Sequence, residues 1–271
     1  MVGFLRIFFF LVLFSKQLFA LSSFDLARNL VGNSSLDSRL KLLFEGKSYV
    51  DENGYARWDE LLRILKMNAL FPLSLSNSTS LELSFKARSD ALIFVKIINE
   101  ALNQAGFSYF NPTALDLSSD LKSYTVQIQT RYILDPASFY SILKQNFVFI
   151  KNIKRLGSYN FEYELDLSKA ILKPSANILV NQSTNLQRPL RDYLIHTNGA
   201  SKLHIRSNPA DNWFAKVLFL DKNLRLIKST VDSSKSVEFT DTIPNNAVYV
   251  IVGDSYNIDN IRRGLNIELV R

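Results

Sequence analysis

The spacing of apolar residues changes twice along this chain, and each change demands a different architecture. Over residues 21–75 the period is helical: Phe24, Ala27, Leu30 and Val31 recur at three- and four-residue intervals and stop at Gly32-Asn33. Leu36, Leu40, Leu43 and Phe44 repeat the pattern and stop at Gly46, a residue suited to the left-handed position just past a helix. After Asn53-Gly54, the set Trp58, Leu61, Leu62 and Leu65 marks a third amphipathic helix. A unit this small buries too little surface to stand alone, so it is expected to lean on a neighbour.

Residues 76–170 mix two periods. Leu81, Leu83 and Phe85 alternate with Glu82, Ser84 and Lys86, as in a half-buried strand. Ser89 is placed to cap a helix with the stripe Ala91, Val95, Ile98 and Leu102, ended by Gly106. A strand over 107–117 follows, then a second run in which Tyr124, Val126, Ile128 and Thr130 oppose Thr125, Gln127, Gln129 and Arg131. Asp135-Pro136 is an N-cap and first-turn pair opening a helix with Phe139, Ile142 and Leu143. Strands over 147–153 and 159–167 complete the order β-α-β-β-α-β-β. That is a ferredoxin-like split βαβ layout with an appended strand. Its expected core is Leu83, Phe85, Val95, Ile98, Val126, Ile128, Phe139, Leu143, Phe161 and Tyr163.

Residues 171–271 lose the helical period altogether. Candidate strands are 177–180, 192–197, 201–206, 215–220, 224–229, 236–239, 247–253 and 265–270, separated by turns such as Asn198-Gly199 and Pro244-Asn245-Asn246. Seven or eight short strands at this spacing argue a C-terminal β-sandwich, of which the jelly roll is one form. The expected fold class is therefore multidomain α+β: a helical domain (21–75), a ferredoxin-like domain (76–170) and a β-sandwich (171–271).

Composition narrows the chemistry. There is no cysteine, which excludes disulfide frameworks, thiol catalysis and Cys-ligated metals. Stability must then come from apolar cores, and 47% hydrophobic residues with 20 Phe and 11 Tyr supply them. Residues 1–20 combine Arg6, an apolar run over 7–14 and the small residue Ala20, the pattern of a secretory signal peptide cleaved after Ala20. No later stretch is long and apolar enough for a membrane span, so the expected location of the mature chain is periplasmic or secreted. The net charge is +7, and residues 169–271 hold fourteen bases against nine acids, whereas 73–168 hold nine of each. This basic surplus implies a partner surface on the last domain. The bases are scattered, which argues against nucleic acid and for an acidic protein or a glycan of the envelope or host.

No catalytic or cofactor motif stands out, and the expected catalytic and metal sets are empty. The loop 49–60 resembles a calcium-binding EF-hand loop, with Asp51, Asn53, Gly54 and Glu60 at matching positions. Tyr49 replaces the first acidic ligand and Arg57 adds a cation, so the favoured reading is a tight inter-helix turn with calcium affinity no better than about millimolar. His196 and His204, the only histidines, stand eight apart across a Gly turn, a spacing that allows them to face each other on paired strands; with no third metal ligand at motif spacing, surface or capped histidines are the favoured reading. Glu162, Glu164 and Asp166 share one strand face; the solvent side of a half-buried strand is the favoured reading, glycosidase-type acid catalysis the alternative. Asp211 and Trp213, in a loop beside Pro209, are the candidate binding residues: an aromatic platform beside a polar group is sugar-binding chemistry, and a Trp closing the sandwich core is the competing reading.

The run Ala27-Arg28-Asn29-Leu30-Val31-Gly32, with the later stretches LLRILKMNALF and IINEALNQAGFSY, resembles uncharacterised exported multidomain proteins of Campylobacter- and Helicobacter-type bacteria. The resemblance implies a periplasmic or secreted protein and assigns no catalytic residue. The expected function is a non-enzymatic binding protein that contacts its partner through the basic C-terminal domain. The alternatives are a glycan-acting hydrolase using the middle-domain carboxylates and a subunit of an envelope assembly.

Overall fold

In a computed structural model, residues 21–271 are described; the expected signal peptide, 1–20, lies outside the described residues. Helix α1 (Ser23–Val31) starts where the Ser22 hydroxyl accepts the Asp25 N–H and the Asp25 carboxylate reaches back to Ser22, and it ends at left-handed Gly32. Helices α2 (Asp37–Phe44) and α3 (Trp58–Met67) follow, with a tight turn between them that brings Val50 and Ala56 into a β-bridge. Trp58 is fully buried and donates its indole N–H to the Ile150 carbonyl at 2.9 Å. The helical segment has no core of its own: Leu26, Leu30, Leu40, Phe44, Trp58 and Leu61 belong to one apolar cluster with the sheet that follows.

That sheet is built from β1 (Ser74–Arg88), β2 (Asn111–Asp116), β3 (Leu121–Tyr132), β4 (Phe149–Gly157) and β5 (Asn160–Asp166), in the order β2-β3-β1-β5-β4. Helices α4 (Ala91–Gln104) and α5 (Pro136–Lys144) lie between β1 and β2 and between β3 and β4. The last strand, expected as an addition to the split βαβ layout, does not lie at an edge of the sheet. It is inserted between β1 and β4, parallel to β1 with Leu83 opposite Phe161 and Phe85 opposite Tyr163. Its alternating aromatics explain the insertion: Tyr163 packs 5.4 Å from Phe85 and 5.7 Å from Phe139, contacts that only a central position provides. The edge strand β4 is lined by α1, which approaches so closely at Gly32 that a Cβ there would lie 2.8 Å from the Arg155 Cβ.

Two readings of α4 need correction. Its N-cap is Asp90, which accepts the Leu92 N–H, not Ser89. Its buried stripe is Ile93, Phe94, Ile97, Ile98, Ala101 and Leu102, while Val95 is only half-buried. The helix carries apolar residues on two faces because it packs on two neighbours, so one stripe could not be read from the period.

The C-terminal strands are β6 (Ser183–Asn185), β7 (Tyr193–His196), β8 (Lys202–Ser207), β9 (Ala215–Leu220), β10 (Leu226–Val231), β11 (Glu238–Thr242), β12 (Tyr249–Asp254) and β13 (Leu265–Val270). They pair antiparallel as nested arches: β6 with β13, β7 with β12, β8 with β11, β9 with β10. Folding the arches over gives two four-stranded sheets, β6-β13-β8-β11 and β7-β12-β9-β10. Leu203, Ile205, Ile267 and Leu269 from the first meet Val217, Phe219, Val250 and Val252 from the second in a separate core. The stretch 177–180 makes only one bridge, Val180 to Leu269, and β6 takes the place expected for it.

The two cores touch along one surface. The outer face of β7-β12-β9-β10 carries Leu194, Leu218, Tyr249 and Ile251, which pack against the core of the α/β unit. Tyr249 accepts the Leu172 N–H at 2.9 Å, and the ion pairs Arg225–Asp90 (3.0 Å) and Arg191–Glu100 (3.2 Å) cross the boundary. The outer face of β6-β13-β8-β11 is polar. Among the described residues no helix is long and apolar enough to cross a membrane.

Candidate functional site

The expected aromatic platform does not exist at Trp213. Its ring is fully buried in the C-terminal core and its indole N–H bonds to the Gly253 carbonyl at 2.8 Å. Asp211 is also buried, and its carboxylate is held by the Arg263 guanidinium and backbone N–H. Both side chains face inward: the Trp213 ring has its only polar atom satisfied inside the core, and the Asp211 carboxylate is buried and already paired with Arg263.

The three strand carboxylates do share a face, each with its own partner. Glu162 pairs with Lys86 at 2.8 Å, and Glu164 lies 3.8 Å from Lys151. Asp166 accepts the Tyr55 hydroxyl at 2.7 Å and the Ser168 N–H at 2.8 Å. Desolvation raises the Asp166 pKa, but these hydrogen bonds outweigh it and leave the group below its ordinary value. The same bond to Asp166, helped by desolvation, pushes the Tyr55 phenol up to about 12. Glu164 lines a recess of about 380 Å³ with Tyr55, Lys151 and Asn152, and no second acid lines it. Two carboxylates facing each other across a cleft, the geometry of a glycosidase, are not formed here.

In the loop 49–60 the Asp51 carboxylate accepts the backbone N–H groups of Asn53 and Tyr55, both at 2.9 Å, and so builds the turn itself. Glu60 is paired with Arg57 at 2.8 Å. Among the described residues no three His, Asp or Glu side chains gather at metal-binding range. The two histidines lie in different sheets: His196 on β7 packs edge-on to Tyr249, while His204 on β8 bonds to Thr240 at 2.9 Å. The Asn198-Gly199 turn, with both residues at positive φ, carries the chain from one sheet to the other instead of closing a hairpin.

Two larger concave surfaces lie elsewhere on the described residues. One, about 780 Å³, runs between α4 and the sheet packed on it, with Leu92, Val95, Leu115, Leu194, Leu220 and Ile251 along its walls. The second, about 540 Å³, opens at the end of the α/β unit, between the C-terminal end of α4 and the N-terminal end of α5, on a floor from β3. Tyr109 and Tyr132 stand at this cleft, 93% and 62% exposed. Sequence reading passed over both. Tyr132 sits at the end of the alternation Tyr124, Val126, Ile128, Thr130, where the period calls for a buried side chain but the covering helices have ended. Tyr109 lies in Phe-Ser-Tyr-Phe-Asn-Pro, an aromatic run beside a turn signal, which was the one cue available.

No protein-family model matches the chain, and comparison with curated proteins and with solved structures finds no similar protein.

Proposed function

We propose that this is an exported, non-enzymatic binding protein whose C-terminal unit meets an envelope or host partner. In this reading the middle unit is a ferredoxin-like split βαβ module widened by one inserted strand, and the C-terminal unit is a jelly-roll sandwich, as its nested strand order supports. The observation that carries the proposal is the unequal treatment of the two C-terminal sheets. The outer face of β7-β12-β9-β10 is spent on the rest of the chain, whereas β6-β13-β8-β11 turns an uncovered polar face outward.

On that face His204 lies between Glu268 and Thr240, and Arg206 between Asn266 and Glu238, with Lys202 and the C-terminal Arg271 at one end. A broad polar sheet with paired charges suits a partner recognised by hydrogen bonds and charge rather than by apolar burial. The basic surplus of the domain is smaller outside than its composition suggests, because Arg191 and Arg225 neutralise Glu100 and Asp90 of the middle unit.

The test is a pull-down from envelope and culture-supernatant fractions with the protein as bait, run beside a Lys202→Glu/Arg206→Glu/Arg271→Glu variant. A partner retained by the native protein and released by the variant is expected. Identical partners on both baits would refute the assignment of this face.

A further inference from the structure

We propose that the cleft holding Tyr109 and Tyr132 binds a neutral glycan chain. The site is distinct from the C-terminal face, and its argument is independent of that reading.

The cleft is built from uncharged groups. Ser108, Gln129 and Ser138 line it, and Gln127 and Asn111 line a shallower recess continuous with it through Ser108, Tyr109 and Gln129. Among the described residues neither the two tyrosine hydroxyls nor the side chains of Ser108, Asn111, Gln127, Gln129 and Ser138 bond to another protein group, so all of them are open to a ligand. The one charged residue in the lining, Asp135, is already committed. It caps α5 by accepting the Ala137 N–H and pairs with Lys66 at 2.7 Å.

Exposed phenol rings beside unspent amides and hydroxyls match the chemistry of a sugar. The axial C–H faces of a pyranose pack on an aromatic ring, and its hydroxyls, which both donate and accept, pair with groups that do the same. A charged ligand would find no counter-ion here. An extended peptide is the competing occupant, because β2 pairs with β3 only as far as Gln127 and leaves 128–132 without a strand neighbour on that side. That edge is interrupted at its far end, where the Thr130 hydroxyl takes the Tyr132 N–H at 3.0 Å and reaches the Tyr132 carbonyl at 3.3 Å. Strand addition needs those main-chain groups free; the sugar needs only the side chains.

The experiment is calorimetric titration of the purified protein with cellohexaose, maltohexaose and chitohexaose, and with a neutral proline-rich decapeptide. One hexasaccharide is expected to bind at about millimolar or tighter. Tyr109→Ala and Tyr132→Ala are each expected to weaken it at least tenfold, while Tyr132→Phe retains most of the affinity. Both rings are exposed, so unchanged thermal unfolding of the variants will separate loss of binding from loss of fold. Failure of all three sugars to bind, binding of the peptide alone, or sugar binding indifferent to both alanine substitutions would each overturn the proposal.

Discussion

Asp90 and Arg225 stand 135 residues apart in the chain and 3.0 Å apart in space. Asp90 does two things at once: it caps α4 through the Leu92 N–H, and it anchors the turn between β9 and β10 against that helix. Ten residues further along α4, Glu100 accepts both Lys96 at 2.9 Å and Arg191 at 3.2 Å. The C-terminal unit is thus held to the α/β unit by an apolar patch with an ion pair toward each end of one helix.

Reversing those charges should loosen the contact without unfolding either unit. The arginine side chains are largely exposed, so each pair contributes about 0–1 kcal/mol. Arg191→Glu/Arg225→Glu adds repulsion and is expected to raise amide hydrogen exchange in the half-buried face of α4 and in β9 and β12, leaving β8 and β13 protected. Unchanged exchange across the boundary would show that the apolar contact alone holds it.

Trp213 is expected to behave as core. Trp213→Ala should cost about 3–5 kcal/mol in denaturant unfolding, the range for a buried large aromatic. Trp213→Phe should cost less, though it leaves the Gly253 carbonyl without its donor. A Trp213→Ala variant of native stability would restore the surface-platform reading.

The Tyr163 hydroxyl is buried with no hydrogen-bond partner among the described residues, and burial raises its pKa above the ordinary value. An unsatisfied buried hydroxyl costs about 1–3 kcal/mol. Tyr163→Phe keeps the ring contacts with Phe85 and Phe139 and removes that penalty, so the variant should be at least as stable as the native protein, by up to about 1 kcal/mol. A loss of stability in urea or thermal unfolding would contradict this.

Alkaline sensitivity follows from the tyrosines. Tyr55 is raised to about 12 by its bond to Asp166, and Tyr140 and Tyr193 to about 12 chiefly by desolvation. A raised pKa means that the folded state prefers the protonated phenol. Their contribution is therefore complete below the ordinary value of 10.0 and lost as pH climbs from 10.0 toward about 12. Asp166 has the opposite sign, since its lowered pKa contributes stability above the ordinary carboxylate value of 3.8 that disappears on acidification below it. Unfolding free energy should fall across both windows, and Tyr55→Phe should flatten both slopes. A profile identical to that of the native protein would refute the Tyr55–Asp166 link.

Much of this architecture was legible because it rests on local chemistry. The Asp135-Pro136 helix start, the Gly32 stop, and strands 215–220 and 265–270 each follow from a cap, a left-handed residue or a two-residue period. The expected core of the middle unit is buried apart from Val95. Each failure has a long-range cause. Val95 faces a unit that begins some eighty residues later, and Trp213 is buried by strands that the loop around it gives no hint of. His196 and His204 separate because a turn that reads as a hairpin crosses between sheets.

The sequence by itself determined which residues turn inward on the elements that bury a single face, since there the period of apolar side chains and the backbone preferences at the caps suffice. It also determined that cores, not disulfides, hold the chain together. Only the tertiary structure decided where β5 inserts, which sheet face is covered by the rest of the chain, which arginines are spent inside the molecule and which tyrosines are left in solvent. Those outcomes depend on contacts between residues far apart in sequence, and the free energy of such a contact is set by what else occupies the site, which no local pattern encodes.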